Sequence, residues 1–168
     1  MSDQAFMELI PLTPSRKRLR EGDVFLLQPI PGTFYCGQII RLKVESRDSF
    51  VNGMSLIYIY DRRVPDRGVP AYLDAAPLLI PPVVINRLPW SRGYFETVGN
   101  LPVTERERRL SFGFWDTVRK RFVDAGGNPL AKEPLYWTDY GLASYAVVGM
   151  LVQRALAARE FLTEKKEP

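Results

Sequence analysis

Histidine is absent from the 168 residues, and cysteine occurs once, as Cys36. The first absence removes the commonest general base, every Ser–His or Cys–His nucleophile pair, and the commonest metal ligand. Catalysis would have to rest on carboxylates, lysine, tyrosine or Cys36, with or without a carboxylate-held metal. The single cysteine excludes an internal disulfide and fits a reducing compartment. Also missing are a glycine-rich phosphate loop, paired cysteines at metal-ligand spacing, and a Gly-x-Ser-x-Gly elbow. No apolar run of signal-peptide type follows Met1. The longest nearly apolar run, residues 141–152, is too short to span a bilayer and suits a buried helix. These absences lead us to expect a cytoplasmic protein with no membrane partner, no metal and no cofactor.

What is present is ordinary globular material. The chain is 46% hydrophobic and 12% aromatic, with three Trp, eight Tyr and nine Phe, enough for a strand-rich core. Its length suits one domain, residues 1–168, able to bury a core of its own. Twenty-three basic residues face nineteen acidic ones, a net charge of +4. That mild excess permits a nucleic-acid or acidic-protein partner without requiring one. Four of its cations stand together, Arg16, Lys17, Arg18 and Arg20. They form either a phosphate or acidic-partner contact, or a solvated lead-in to the first strand.

The patterning predicts α+β architecture with β dominant. An N-terminal arm (1–19) precedes a β core (20–125), and one long helix (138–162) closes a bent antiparallel sheet or partly open barrel. A strand over 24–30, a turn at Pro31-Gly32 and a strand over 33–45 form a hairpin. In its second arm Phe34, Cys36, Gln38, Ile40, Leu42 and Val44 alternate with Tyr35, Gly37, Arg41, Lys43 and Glu45, which predicts one buried face. Asn52-Gly53 is a turn pair, and residues 54–61 read as a central strand, apolar on both faces. Pro81-Pro82 cuts the apolar run after residue 76, which suits an edge strand or two short strands at a corner, not a helix. A turn over 88–93 leads to a strand at 94–98. Residues 104–109 interleave acid and base as a solvated face, and 111–115 with 120–124 suggest a late hairpin. Thr138 or Asp139 is the expected cap of the last helix.

Few residues suggest chemistry. Cys36 lies on an apolar strand face, where a free thiol is ordinarily a small core residue. Asp23, Asp61 and Glu96 stand at strand ends or turns, where they either converge as an acid/base or metal group or simply cap turns. Trp90, in a proline-preceded turn and followed by Arg92, either covers the core or contacts a partner. We assign no catalytic residue. The loop over 62–76 carries prolines and charges, as recognition loops do. If the chain folds back at Pro81-Pro82, one rim would offer Arg62, Arg63, Tyr72, Trp90 and Arg92, the aromatic and arginine mixture of an interface hot spot.

Several segments, each a plain strand with a glycine or proline, carry a resemblance when taken in order. They are Gly22-Asp23-Val24-Phe25, Gly37-Gln38-Ile39-Ile40, Ile57-Tyr58-Ile59-Tyr60-Asp61, the run from Leu78 to Asn86, and Gly93-Tyr94-Phe95-Glu96-Thr97-Val98-Gly99. Over residues 20–125 the chain resembles the immunity protein 26 family. That resemblance implies a bacterial antidote of a polymorphic toxin system, which binds and neutralises a toxin domain encoded beside it. The grouping also holds a small phosphotriesterase that hydrolyses organophosphates such as coroxon, which implies a second reading as a hydrolase. Two departures stand out. Where the family's tryptophan is expected this chain has Tyr94-Phe95, with Trp90 upstream, and many immunity proteins against nucleases are acidic. The expectation is a non-catalytic inhibitor of a cognate toxin domain. A small barrel binding nucleic acid through residues 16–20 ranks third.

Overall fold

The computed structural model describes residues 8–73 and 77–165. Its strands are β1 (Asp23–Ile30), β2 (Thr33–Arg41), β3 (Ser55–Arg63), β4 (Val83–Ile85), β5 (Glu96–Asn100), β6 (Phe112–Asp116), β7 (Arg121–Val123), β8 (Tyr136–Asp139) and β9 (Leu142–Ala143). Three α-helices join them: α1 (Leu88–Ser91), α2 (Glu105–Arg108) and the long α3 (Tyr145–Glu164). Six strands form one sheet in the order β5-β1-β2-β3-β4-β9, and three form another in the order β7-β6-β8. All pairs are antiparallel except β4 with β9 and β6 with β8. Neither sheet closes into a barrel, so the β-dominant bent sheet with a C-terminal helix is what the chain adopts.

The larger sheet is buried on both faces. Phe25, Leu27, Tyr35, Ile39, Ile57 and Ile59 point to one side, where Leu9, Trp90, Phe95 and the helix residues Val148, Val152 and Leu156 cover them. Val24, Leu26, Cys36, Ile40, Tyr58 and Tyr60 point to the other, against Phe114, Val123 and Ala125 of the second sheet and its flanks. The expected hairpin with one buried face is therefore corrected: Tyr35 and Cys36 are both fully buried. Strand parity also breaks. The β2–β3 register shifts between Ile39 and Arg41, and Leu42 then packs with Tyr35 and Ile39 rather than with Cys36. A bulge inserts one residue and turns Leu42 to the other face, and Val44, past the end of the strand, returns to the side of Cys36.

Other expectations shift locally. β3 is an interior strand as expected, and the late hairpin is β6 with β7. The proline-cut run forms one strand, β4, plus a single bridge from Leu78 to Tyr60. The turn over 88–93 contains the one-turn helix α1 with a proline in its first turn. Residues 104–109, expected to be a solvated face, hold α2, whose Glu107 is buried. Its carboxylate accepts from the Thr104 N–H at 3.1 Å, and its backbone carbonyl accepts from the Tyr58 hydroxyl at 2.8 Å. The last helix starts later than expected. Residues 136–139 are spent on parallel pairing with β6, Gly141 adopts φ +150°, and Ser144 caps α3 by accepting from the Val147 N–H. Thr138 and Asp139 lie in β8 instead.

Candidate partner-binding site

β3 fixes the geometry of the residues expected to meet a partner. At its start Ser55 pairs with Ile85, and near its end Arg63 pairs with Tyr35. Arg62 and Arg63 thus stand at the end of the sheet that carries the β1–β2 turn. There the Arg62 guanidinium lies over the Tyr72 ring, 5.0 Å from its centroid, and donates to the Tyr72 carbonyl. Tyr72 itself is exposed, and Arg63 Nε donates to the Tyr35 hydroxyl at 3.4 Å. Four residues after Arg63 along the chain, Arg67 pairs with Glu96 and lies 5.9 Å from the centroid of the Phe34 ring. Partial burial pushes the Glu96 carboxyl upward, but hydrogen bonds from Arg67 and Thr13 outweigh it and hold the group below its usual range. The result is an exposed arginine–aromatic ridge. Residues 74–76, the end of the expected recognition loop, lie outside the described residues, as do residues 1–7 of the arm.

Arg92 is not part of that ridge. It follows α1, 6.0 Å from the ring of Tyr145, which stacks on Tyr94 at 4.6 Å. Tyr145 opens α3 directly after β9, and β9 pairs with Ile85, so Arg92 stands towards the Ser55 end of β3. Pro81-Pro82 does not gather the five residues at one rim: Arg62, Arg63 and Tyr72 come together, and Arg92 stands apart.

Trp90 is the clearest departure from a contact residue. Its side chain is 2% exposed and meets Phe25 and Phe95 edge-on, at 5.2 and 5.1 Å between centroids. α1 lies on the connection that carries the chain over the sheet from β4 to β5, and the ring of its third residue drops into the core. Of the two roles open to Trp90, the structure places it as core cover, and a ring without exposed surface offers nothing to a partner. Its indole Nε1–H finds no acceptor among the described residues. The rings of Tyr94 and Tyr145 were legible as aromatic residues, but nothing local in the sequence couples a turn to the first residue of a distant helix.

The carboxylates separate in the same way. Asp23 and Glu96 line one cleft of about 460 Å³ beside the arm residues Lys17 and Arg20. Asp23 accepts from the Arg20 N–H and from Asn100 Nδ2, both at 2.9 Å, which fixes the arm to the start of β1. Asp61 lies elsewhere, paired with Arg159 in a groove of about 480 Å³ against α3. Among the described residues no three histidine, cysteine, aspartate or glutamate side chains gather as a metal site. Cys36 is buried, and that burial pushes its thiol up to about 11, partly offset by the charge of Arg62. Such a thiol is held protonated and unreactive. Among the described residues no helix is long and apolar enough to cross a membrane.

A rigid sheet whose exposed groups at one end are arginines and an aromatic ring has the chemistry of a protein-binding surface. The sequence model of the family described as Immunity protein 26 matches residues 20–124, more than half of the length, and the chain belongs to that family. Comparison with curated proteins finds no match, and comparison with solved structures finds none.

Proposed function

We propose that this chain is a non-catalytic immunity protein that binds a cognate toxin domain of a bacterial polymorphic toxin system in the cytoplasm and neutralises it. The observation that carries the reading is membership of the immunity protein 26 family across residues 20–124. The sheet supports it by holding Arg62 and Arg63 on a fixed strand end, with Tyr72 of the following loop against Arg62, so that little side-chain freedom remains to be lost on binding. Arg62 is already pre-positioned by Tyr72. In this reading Arg62, Arg63 and Tyr72 form the anchor of the contact, Arg92 contributes separately, and Trp90 acts through the core. No cofactor takes part.

The test is co-expression with the toxin domain encoded next to this gene. The chain should protect the cell and co-purify with that domain, and Arg62→Ala with Tyr72→Ala should weaken the complex by about 2 kcal/mol or more, as truncated arginine and tyrosine hot spots do. A chain that neither protects nor co-purifies refutes the immunity reading. Protection undiminished by the double variant refutes only the choice of anchor.

A further inference from the structure

The arm, the strand end after β2 and the end of β4 enclose a groove of about 340 Å³ that none of the residues considered so far explains. Its walls carry three cations from three separate segments, Arg18, Lys43 and Arg87, and its floor is aliphatic, built from Leu19, Leu42, Met54 and Ile85. No carboxylate lines it among the described residues. The neighbouring cleft is different, because there Asp23 pairs with Arg20 of the arm and the Glu96 carboxylate also lines the wall. Arg18 and Lys43 are exposed and make no ion pair among the described residues. Arg87 has a structural duty as well: its guanidinium donates to the carbonyls of Arg16 and Lys17 at 3.4 and 3.3 Å and holds the arm in place.

Uncompensated cations around an apolar floor are complementary to an apolar side chain flanked by carboxylates. We propose that this groove docks an acidic–apolar segment of a partner protein, in which a leucine-like side chain enters the floor and flanking Asp or Glu side chains meet Arg18 and Lys43. The volume falls at the small end of ligand-pocket sizes, room for a side chain or two rather than a folded element. Charge complementarity selects the sign of the partner, and the floor selects protein over nucleic acid. Single-stranded nucleic acid is gripped by stacking its bases on aromatic rings, and no aromatic residue lines this groove. The proposal adds a site to the immunity reading and rests on it only for the partner's identity.

The experiment titrates the full chain, labelled for amide NMR, with the peptide acetyl-Gly-Glu-Leu-Glu-Gly-amide. We expect saturable shifts at the amides of Leu19, Lys43, Gly53 and Arg87. Affinity should fall at least ten-fold for Arg18→Glu with Lys43→Glu, and likewise when both glutamates of the peptide become glutamine. Replacing the leucine by serine should weaken it at least three-fold. The double variant Arg121→Glu with Lys132→Glu changes the net charge equally on exposed positions elsewhere and should bind as the unmodified chain does. No saturable shift, equal affinity in the groove variant, or equal loss in the control variant overturns the proposal. A single-stranded oligonucleotide that binds more tightly through the same amides overturns it in favour of nucleic acid. Co-expression with the adjacent toxin separates the two readings. If the groove variant protects as well as the unmodified chain, the groove is not the partner contact and the immunity reading survives. If the unmodified chain protects against nothing, the immunity reading falls and the peptide titration still decides the groove.

Discussion

Replacing Trp90 by alanine separates a core ring from a contact ring. The side chain is 2% exposed and lies edge-on to both Phe25 and Phe95, which are themselves stacked at 4.4 Å. Truncating a buried Trp costs about 3–5 kcal/mol, and two lost ring contacts place this site towards the upper end. Against that, the variant removes a buried N–H with no acceptor, which returns about 1–3 kcal/mol. The net expectation is a loss of about 2–4 kcal/mol. At an ordinary urea dependence for a chain of this size, that is a fall of roughly 1 M in the unfolding midpoint with an unchanged slope. Trp90→Phe keeps a ring in the cluster while discarding the unpaired donor, so it should stay within about 1 kcal/mol of the parent. Urea titration followed by far-UV circular dichroism reads both. An alanine variant with the parental midpoint but impaired toxin binding would refute the buried placement and restore Trp90 as a contact.

Cys36 gives a second test. Burial raises its thiol to about 11 from an ordinary 9.0, so its contribution to stability is complete below pH 9 and is lost as pH rises from there through about 11. Tyr58 and Tyr60 are raised by burial in the same sense. Reaction with an aromatic disulfide reagent at pH 8 should be about a hundred-fold slower in the folded chain than in urea, and equal rates would contradict the burial. Ser144→Ala should cost about 1 kcal/mol by uncapping α3, whereas Thr138→Ala should spare the helix; the reverse ranking in urea titrations would move the helix start back to residue 138. Purified protein should not turn over an organophosphate triester, with or without added divalent metal. Turnover abolished by Glu96→Gln or Asp61→Asn would instead make the chain a hydrolase.

The signals that could be read in the sequence were those that act within a few residues. Alternation and glycine turns located the β1–β2 hairpin and β3, and the apolar run from Leu142 to Val152 located the long helix. What needed the tertiary structure was decided by pairing at long range. Residues 136–139 have a plausible cap at Thr138, yet parallel pairing with β6 holds them as a strand. Glu107 sits in an acid–base run, yet Tyr58 recruits its backbone and the carboxylate folds back on Thr104. At the candidate site, the arginines were visible as residue types. Their separation was not, because Arg92 and Arg62 are assigned to opposite ends of β3 only by the registers of β4 and β9.

Burial of both faces of the larger sheet restricts where a partner can bind. A half-open sheet could offer a broad, flat strand face, but here α1, α3 and the N-terminal arm occupy one side and the second sheet occupies the other. Polar groups that remain free to contact another molecule lie at strand ends, in loops, on the arm and on the outer faces of α3 and the second sheet. Both surfaces argued above do so: the Arg62–Tyr72 ridge lies at the end of the sheet with the β1–β2 turn, and the Arg18–Lys43 groove lies beside the start of β3. Cations dominate at each, so association with an acidic partner should accelerate as salt is lowered. The two can be told apart by what anchors them. The ridge is an exposed aromatic under a guanidinium, whose loss should act mainly on dissociation. The groove is a ring of unpaired charge, whose reversal should act mainly on association and flatten its salt dependence. Stopped-flow association measured across a salt series for the two double variants would show whether capture and retention are divided between the ends in this way, and identical rate changes for both variants would rule it out.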